Sequence, residues 1–273
     1  MFEAKKKQSR LSAAFSMFEV IFHMTAHSVR SEQTNALAAL VLNLFQVMLL
    51  IAIFYVMMTF IGLRGAALRG DFLLYIMSGI FLFFTNVKAM GAVMASSGPS
   101  HPMMMHTPMN TFVAFVSSAL GSLYIQILSI VVILTIYHIA VTPVEIQHPV
   151  KALLMVILSW FNGASIGLIF LALRPWFPKF TGIARKIYMR ANMFASGKMF
   201  VANSAPYYLV AIFIWNPLFH VVDQGRGYIF INYNPHYTNW MYPLIFSCVA
   251  TLLGLMGESY SRKHVSASWS ARQ

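Results

Sequence analysis

The sequence predicts an all-α integral membrane protein with six transmembrane helices, an N-terminal amphipathic interface helix and a re-entrant hairpin before the last span. Apolar residues fill 59% of the 273 positions, charged residues fill 10%, and the mean hydropathy is +0.68. A water-soluble domain carries about a quarter charged residues. The apolar residues also gather in runs of about 20 or more, which is the length that crosses a bilayer core.

The N-terminal region, residues 1–30, is predicted as a cytoplasmic basic tail followed by an interface helix. The tail contains Lys5, Lys6, Lys7 and Arg10, which suit anionic lipid headgroups. Residues 11–30 mix aromatic and aliphatic side chains with charged ones, as is typical of a helix lying on a membrane surface. No clean apolar core and cleavage site follow the basic start, so no cleavable signal peptide is expected.

Residues 31–261 are predicted as the transmembrane domain, followed by a cytoplasmic tail at 262–273. Backbone groups in lipid need internal hydrogen bonds, so the apolar runs are predicted as helices. The predicted spans are about 36–61, 72–95, 112–139, 152–173, 187–201 and 240–258. The apolar stretch after residue 187 is interrupted by Asn203, Pro206 and Pro217, among others. It predicts a re-entrant hairpin at 205–219 that dips into the bilayer without crossing it.

The distribution of positive charge predicts that both termini are cytoplasmic. If the termini share a side, thirteen of the 19 Lys and Arg residues fall on it, five fall opposite, and Lys88 lies within a span. Such an excess marks the cytoplasmic side. The net charge of +12 therefore indicates membrane orientation rather than nucleic-acid binding, because the basic residues lie between apolar runs.

No catalytic or metal-binding constellation is recognisable, so no intrinsic catalysis and no metal site are expected. The seven acidic residues are scattered, and none pairs with another at helical spacing. The nine His residues form no HExxH or similar ligand pair. The sequence also lacks the GxxxxGK[ST] phosphate loop, so an ATP-driven process would need an ATPase on another chain.

Three residues are candidates for the path of a transported substrate. Lys88 lies deep in the second span, where a central charge costs about 2.5–3.5 kcal/mol and should face protein or water. Snorkelling to the interface and contact with an anionic substrate are equally open interpretations of Lys88. Trp215 and Tyr228 belong to an aromatic set near the predicted outer surface. Such residues form interface belts, and their faces also stack on sugar rings.

The loop at residues 96–110, SSGPSHPMMMHTPMN, is predicted to dock onto a partner, with an ordinary connector as the alternative. It is short and carries a cluster of soft, adaptable methionines that suit a partner's groove. The residues assigned to this contact are Ser100, His101, Pro102, Met103, Met104, Met105, His106 and Pro108.

This arrangement resembles the membrane subunit of ABC-2 type exporters, with the permeases for capsular polysaccharide and O-antigen as the most similar branch. The similarity runs from about Arg30 to the C-terminus and is strongest at residues 215–230, WNPLFHVVDQGRGYIF. Asp223 stands where the family usually has Glu. The family's Asn-Pro-Leu, His, acidic and Arg positions are filled by Asn216, Pro217, Leu218, His220, Asp223 and Arg226.

The resemblance implies a homodimer in the bacterial inner membrane that pairs with two copies of a nucleotide-binding ABC ATPase subunit. ATP and Mg would be bound by that partner, which would push on the loop at 96–110. A polysaccharide, lipid-linked or otherwise anionic, would be exported, and periplasmic and outer-membrane export proteins are further expected partners. The re-entrant and exit region would be formed by Asn216, Pro217, His220, Asp223 and Arg226.

Two other functions remain open at this point. A membrane-embedded transferase acting on lipid-linked sugars would bring Asp71, Glu145 and Asp223, all predicted on the outer side, onto one face. An ABC-2 exporter of another cargo, such as a lipid, a drug or a teichoic-type polymer, would look much the same in sequence.

Overall fold

The computed structural model describes residues 17–26, 36–60, 71–96 and 111–264. Every regular element in these ranges is helical, which confirms the all-α class. A 3-10 turn, Ala202–Ser204, lies between the sixth and seventh helices. The helices are α1 (Met17–Ala26), α2 (Ala36–Phe60), α3 (Phe72–Ala95), α4 (Thr111–Ala140), α5 (Pro149–Leu173), α6 (Pro178–Ala195), α7 (Tyr207–Phe213), α8 (Pro217–Ile229) and α9 (Met241–His264).

Five of these helices, α2, α3, α4, α5 and α9, are long and apolar enough to cross a membrane. At about 1.5 Å rise per residue, the 24 residues of α3 extend about 36 Å, which exceeds a hydrocarbon core of about 30 Å. They match the predicted spans at 36–61, 72–95, 112–139, 152–173 and 240–258.

Helix α3 is the centre of the bundle and packs most closely against α5. Two α5 glycines, Gly163 and Gly167, make this close approach feasible. A Cβ on Gly163 would lie 2.1 Å from the carbonyl oxygen of Asn86, and one on Gly167 would lie 2.6 Å from that of Met90. Small residues allow helix backbones to touch where lipid removes the usual hydrophobic driving force between helices.

Side-chain hydrogen bonds join α3, α5 and α9 across the same interface. Asn86 donates from Nδ2 to Asn162 Oδ1 at 2.9 Å, and Asn162 donates to Ser247 Oγ at 3.1 Å. Ser159 donates to the carbonyl oxygen of Leu82 at 2.6 Å. All these side chains are buried, so each polar group has a partner away from lipid.

The segment after α5 differs from its predicted outline. A helix was expected over 187–201, but α6 begins at Pro178 and ends at Ala195. Gly197 has φ of +71°, a left-handed backbone that ends the helix there. Residues 205–219, where a hairpin was expected, contain α7 and the start of α8, and α8 extends ten residues further, to Ile229.

Contacts along α3 show how this segment runs. A Cβ on Gly91 would lie 3.2 Å from Arg185, and a Cβ on Gly79 would lie 2.9 Å from Lys198 Cβ. The chain from α6 to residue 198 therefore runs along α3 and antiparallel to it. Helix α8 then starts beside the end of α6 and finishes at the start of α5, where the N–H of His148 donates to the carbonyl of Tyr228 at 2.9 Å.

Helix α1 lies within the predicted interface region and keeps large apolar side chains exposed. Phe18 and Phe22 are 70% and 71% exposed. Its backbone meets α4 where Ser117 Oγ donates to the carbonyl oxygen of Ile21 at 3.2 Å. The basic cluster at residues 5–7 and the tail after His264 lie outside the described residues.

Candidate functional site

Asn216 and Pro217 start α8 and tie it to α6. Asn216 Oδ1 accepts from the N–H of Leu218 at 3.1 Å, the usual contact of an N-cap side chain. Pro217 occupies the first helical turn, where its missing N–H has no cost. Asn216 Nδ2 donates to Asn192 Oδ1 and to the carbonyl oxygen of Ala195, both at 2.9 Å.

His220 lies one turn along α8 and holds the segment that precedes α9. Its Nδ1 accepts from the N–H of Asn239 at 3.0 Å, so Nε2 carries the proton and donates to the carbonyl oxygen of Ile214 at 2.7 Å. The ring also lies 4.8 Å from the ring of Tyr242. Both ring nitrogens are therefore used within the fold.

Asp223 binds the same segment at two further points. Its carboxylate accepts from the hydroxyl of Tyr233 and, at 2.7 Å, from the hydroxyl of Thr238. Burial and the nearby Asp223 charge both raise the pKa of Tyr233, so this phenol keeps the proton that it donates. Asp223 thus serves as a buried anchor for the segment between α8 and α9.

Arg226 fixes the chain where α6 breaks. Its guanidinium is 1% exposed and donates to three carbonyl oxygens, those of Gly197 (2.7 Å), Phe200 (2.7 Å) and Lys198 (2.6 Å). It also stacks on the ring of Tyr75 at 4.2 Å. Arg donors are arranged in a rigid fork, which explains why this residue can hold several carbonyls at once.

The structure therefore brings all five residues predicted for the re-entrant and exit region together on α8. Asn216, Pro217, His220, Asp223 and Arg226 are hereafter called the α8 motif. The motif faces protein: its side chains bind α6, the break after α6 and the segment before α9. The location of the motif at a substrate exit remains a prediction. The contacts that it makes are structural, because they hold these three segments together.

The three residues predicted for the substrate path occupy different surroundings. Lys88 is half-buried on α3, and its Nζ donates to Gln46 Oε1 on α2 at 2.8 Å. Trp215 is 78% exposed at the turn between α7 and α8. Tyr228 lines a mainly apolar cleft of about 620 Å³, with Lys151 Nζ 5.6 Å from its ring centroid.

Lys88 lines a second cleft, of about 220 Å³, between α2, α3 and α4. We call it the polar cleft; its polar lining residues are Asn43, Gln46, Lys88, Ser122 and Gln126. The polar cleft lies in the same half of the bundle as α1. Lys88 is seven residues from the end of α3, and α1 contacts Ser117 near the start of α4, the next helix.

Buried amides form the inner wall of the polar cleft. Asn43 Nδ2 donates to Gln126 Oε1 at 2.9 Å and to Ser129 Oγ at 2.8 Å. Gln126 is 3% exposed, and its Nε2 has no hydrogen-bond partner within the described ranges. A buried donor without a partner costs about 1–3 kcal/mol, so this amide is an uncompensated polar group in the wall of the cleft.

The sequence prediction found Lys88 but missed the other polar cleft residues. A signal was present: Asn43 and Gln46 are three residues apart in the first span, and Ser122, Gln126 and Ser129 are four and three apart in the third. These spacings place side chains on one helix face. Polar residues aligned in this way inside an apolar run face a partner helix or a wet cavity.

The residues assigned to ATPase coupling, 100–106 and 108, lie outside the described residues, so their role remains a prediction. Among the described residues, no group of three or more His, Cys, Asp or Glu could hold a metal ion. Asp71 and Glu145 line one cleft of about 830 Å³, whereas Asp223 is absent from its lining. The convergence of three acids expected for a transferase is therefore not observed there.

Comparison with known proteins supports a transport function. No family model matches the sequence. Two Escherichia coli proteins, each named polysialic acid transport protein KpsM, align with 189 residues of the chain at 24% and 23% identity. Each alignment covers 68% of this chain and 71% of the relative. The chain is thus a multi-pass membrane protein similar to a polysialic acid transport protein, which confirms the resemblance to capsular-polysaccharide permeases.

Proposed function

We propose that this chain is the membrane-spanning permease subunit of an ATP-driven ABC exporter that moves an acidic polysaccharide across the bacterial inner membrane. The observation that carries the proposal is the alignment with a polysialic acid transport protein over 68% of the chain. Polar residues inside apolar helices, as in the polar cleft, are what a path for a hydrophilic cargo requires.

The proposed topology has six crossings. Helix α6 and residues 196–204 together form the fifth crossing, because they run antiparallel to α3 between Gly91 and Gly79. Helices α7 and α8 form the re-entrant hairpin, since α8 starts beside Ala195 and ends at the α5 N-terminus. An irregular backbone at membrane depth needs shielding by protein, which the α8 motif supplies. Both termini are then cytoplasmic.

The proposed assembly is a homodimer of this chain with two copies of a nucleotide-binding ABC ATPase. ATP and Mg are bound by that partner. This subunit forms the transport path and transmits the movement that the ATPase drives, without catalysis of its own. Coupling is assigned to residues 100–106 and 108 and to α1, which contacts α4 through the hydrogen bond from Ser117 to Ile21. Periplasmic and outer-membrane export proteins would receive the polymer.

The proposed path begins in the cytoplasmic half of the membrane at the polar cleft. Lys88 contributes a positive charge there, and Gln126 contributes an amide donor without a protein partner. Towards the outer side, Trp215 and Tyr228 offer aromatic faces for sugar rings. The cargo would pass from an ionic contact to stacking contacts, neither of which binds tightly enough to stop it.

Deletion of the gene tests the proposal directly. The deletion strain should lose cell-surface polysaccharide and accumulate polymer inside, and the wild-type gene should restore export. Affinity purification of the chain should also recover an ATPase with a phosphate-loop motif. Normal surface polymer with no internal accumulation would contradict the proposal. An unchanged surface with a defect in another exported compound would indicate an exporter of different cargo.

A further inference from the structure

The turn after α6 buries a lysine side chain that the α8 motif does not use. Lys198 is 2% exposed, and its Nζ has no hydrogen-bond partner in the described part of the chain. This Nζ lies 3.6 Å from the ring centroid of Phe83 on α3 and 4.7 Å from that of Phe54 on α2. We call these three residues the lysine cage.

Hydrogen bonds from Arg226 fix the backbone around Lys198. Arg226 donates to the carbonyl oxygens of Gly197, Lys198 and Phe200, so the backbone on both sides of Lys198 is fixed. Gly79 provides the space, because a Cβ there would come within 2.9 Å of Lys198 Cβ. Three polar anchors and a glycine therefore position the side chain of a single residue.

Aromatic faces alone are poor compensation for such a charge. Cation–π contacts attract an ammonium, but its three donors normally require oxygen acceptors, and a charge at membrane depth is retained mainly where it functions. Apolar side chains would fill the same volume without that cost. The lysine cage is therefore suited to an anionic or oxygen-rich ligand, which would accept hydrogen bonds from Nζ.

Helix α2, which carries Phe54, is less buried than α4 and α5, the other two spans that pack on α3. Helix α2 meets its neighbours through a narrow stripe, while Leu49, Ile53 and Val56 on its other side are about half exposed. The stripe at the level of the cage is apolar and consists of Val47, Ile51, Phe54 and Met58. Moving α2 away from α3 would lift Phe54 off Lys198, and it would also break the hydrogen bond from Lys88 to Gln46.

We infer that Lys198 is a covered contact for the acidic groups of the cargo, exposed when α2 moves away from α3 during transport. The ligand class is a polymer that carries carboxylates, and the contact is closed by Phe54 in the resting protein. The inference rests on the proposed export function and adds to it a residue, a cover and a preference for cargo charge.

Thiol labelling tests whether the cage opens. Cys248, the single cysteine, is exposed on α9 and is first replaced by Ser. Lys198→Cys is then placed in the dimer with its ATPase in nanodiscs and treated with the anionic reagent 2-sulfonatoethyl methanethiosulfonate. We expect protection at rest and labelling about tenfold faster with ATP and vanadate. Val222→Cys, fully buried on α8, is the control and should stay protected. Equal protection of both cysteines in both states would overturn the inference.

Charge variants test what the opened contact recognises. Lys198→Met should lower export of an acidic polymer about tenfold while Lys198→Arg retains most of it, because a charged contact contributes on this scale. Lys198→Met should not lower the unfolding temperature, which a merely structural lysine would. Lys263→Met, at an exposed lysine near the end of α9, is the control. Full export by Lys198→Met in cells where gene deletion abolishes export would overturn this inference alone; normal export after deletion would overturn the proposed function.

Discussion

The α8 motif and the polar cleft both place polar groups among apolar helices, but they handle them in opposite ways. In the motif, the side chains of Asn216, His220 and Asp223 all bind partners within the fold, and Arg226 leaves only its Nε without a partner among the described residues. In the cleft, Lys88 is half-buried on an open wall, and Gln126 Nε2 has no partner within the described ranges.

The contrast shows that the residues most easily recognised in the sequence need not be those that contact the cargo. The motif is compact in sequence because all of its residues lie on one short helix, which binds three neighbouring segments. The cleft residues come from three helices far apart in the chain and have no common sequence motif. Consequently, the motif should govern stability, and the cleft should govern transport.

The largest expected effect is the loss of the Arg226 side chain. Arg226→Met leaves the carbonyl oxygens of Lys198 and Phe200 without their donor, whereas that of Gly197 still accepts from the N–H of Phe200 at 3.4 Å. Each buried group left unsatisfied costs about 1–3 kcal/mol, so we expect at least about 2 kcal/mol of destabilisation. Thermal unfolding in detergent measures it. Arg190→Met, at an exposed arginine on α6, should leave the midpoint almost unchanged. Equal unfolding midpoints for the two variants would contradict a structural role for the motif.

The next effect concerns the α3–α5 contact, on which both regions depend. Gly163→Ala places a methyl group 2.1 Å from the carbonyl oxygen of Asn86, so the two helices must separate. Overpacking of this kind costs about 1–3 kcal/mol. Gly182→Ala on α6 meets nothing within 4 Å and should stabilise its helix by about 0.5–1 kcal/mol. Opposite shifts in unfolding temperature are expected, and a shift in the same direction would contradict the packing argument.

The polar cleft should show the reverse pattern, with transport affected and stability preserved. Lys88→Met removes the cleft's charge, and Asn43 keeps its bonds to Gln126 and Ser129. We expect this variant to lower polymer export about fivefold, corresponding to roughly 1 kcal/mol, with an unfolding temperature near that of the wild type. Lys88→Arg is the control for charge. Variants that unfold early yet export normally would reverse the assignment of the two regions.

The smallest expected effect is a pH dependence at the start of α3. Burial alone would raise the pKa of Asp71, but hydrogen bonds from Tyr137, Thr142 and the N–H groups of Leu73 and Leu74 hold it below its ordinary value of 3.8. A depressed carboxyl pKa stabilises the fold above that value, and the contribution is lost as the pH falls through the folded pKa. The wild type should exceed Asp71→Asn in unfolding temperature by a constant margin between about pH 5 and 8, and the margin should shrink below about pH 4. A margin that grew on acidification would contradict the assigned direction.

The parts of the fold that could be predicted from sequence are those decided by a single segment. A run such as 72–95 is long and apolar enough to be a span whatever its neighbours do. Helix α6 was misplaced because it is amphipathic and begins at Pro178 in a basic stretch, where hydropathy gives no signal. Its break at Gly197 depends on the distant Arg226, which cannot be read from local sequence.

The candidate site follows the same rule. The α8 motif was found as a pattern, but the inward direction of Asp223 depends on Tyr233 and Thr238 being brought back to it. Lys88 was conspicuous as an isolated charge. Gln126 drew no attention alone and gains significance only beside Asn43 on another helix.

The most direct test of the export path is ATP-dependent transport in proteoliposomes that contain this chain and its ATPase partner, with a fluorescent acidic oligosaccharide as cargo. Wild-type protein should move the oligosaccharide across the membrane only when ATP is supplied. Lys88→Met should retain its fold and ATP hydrolysis while transport falls. ATP-independent movement, or undiminished transport by that variant, would contradict a path through the polar cleft.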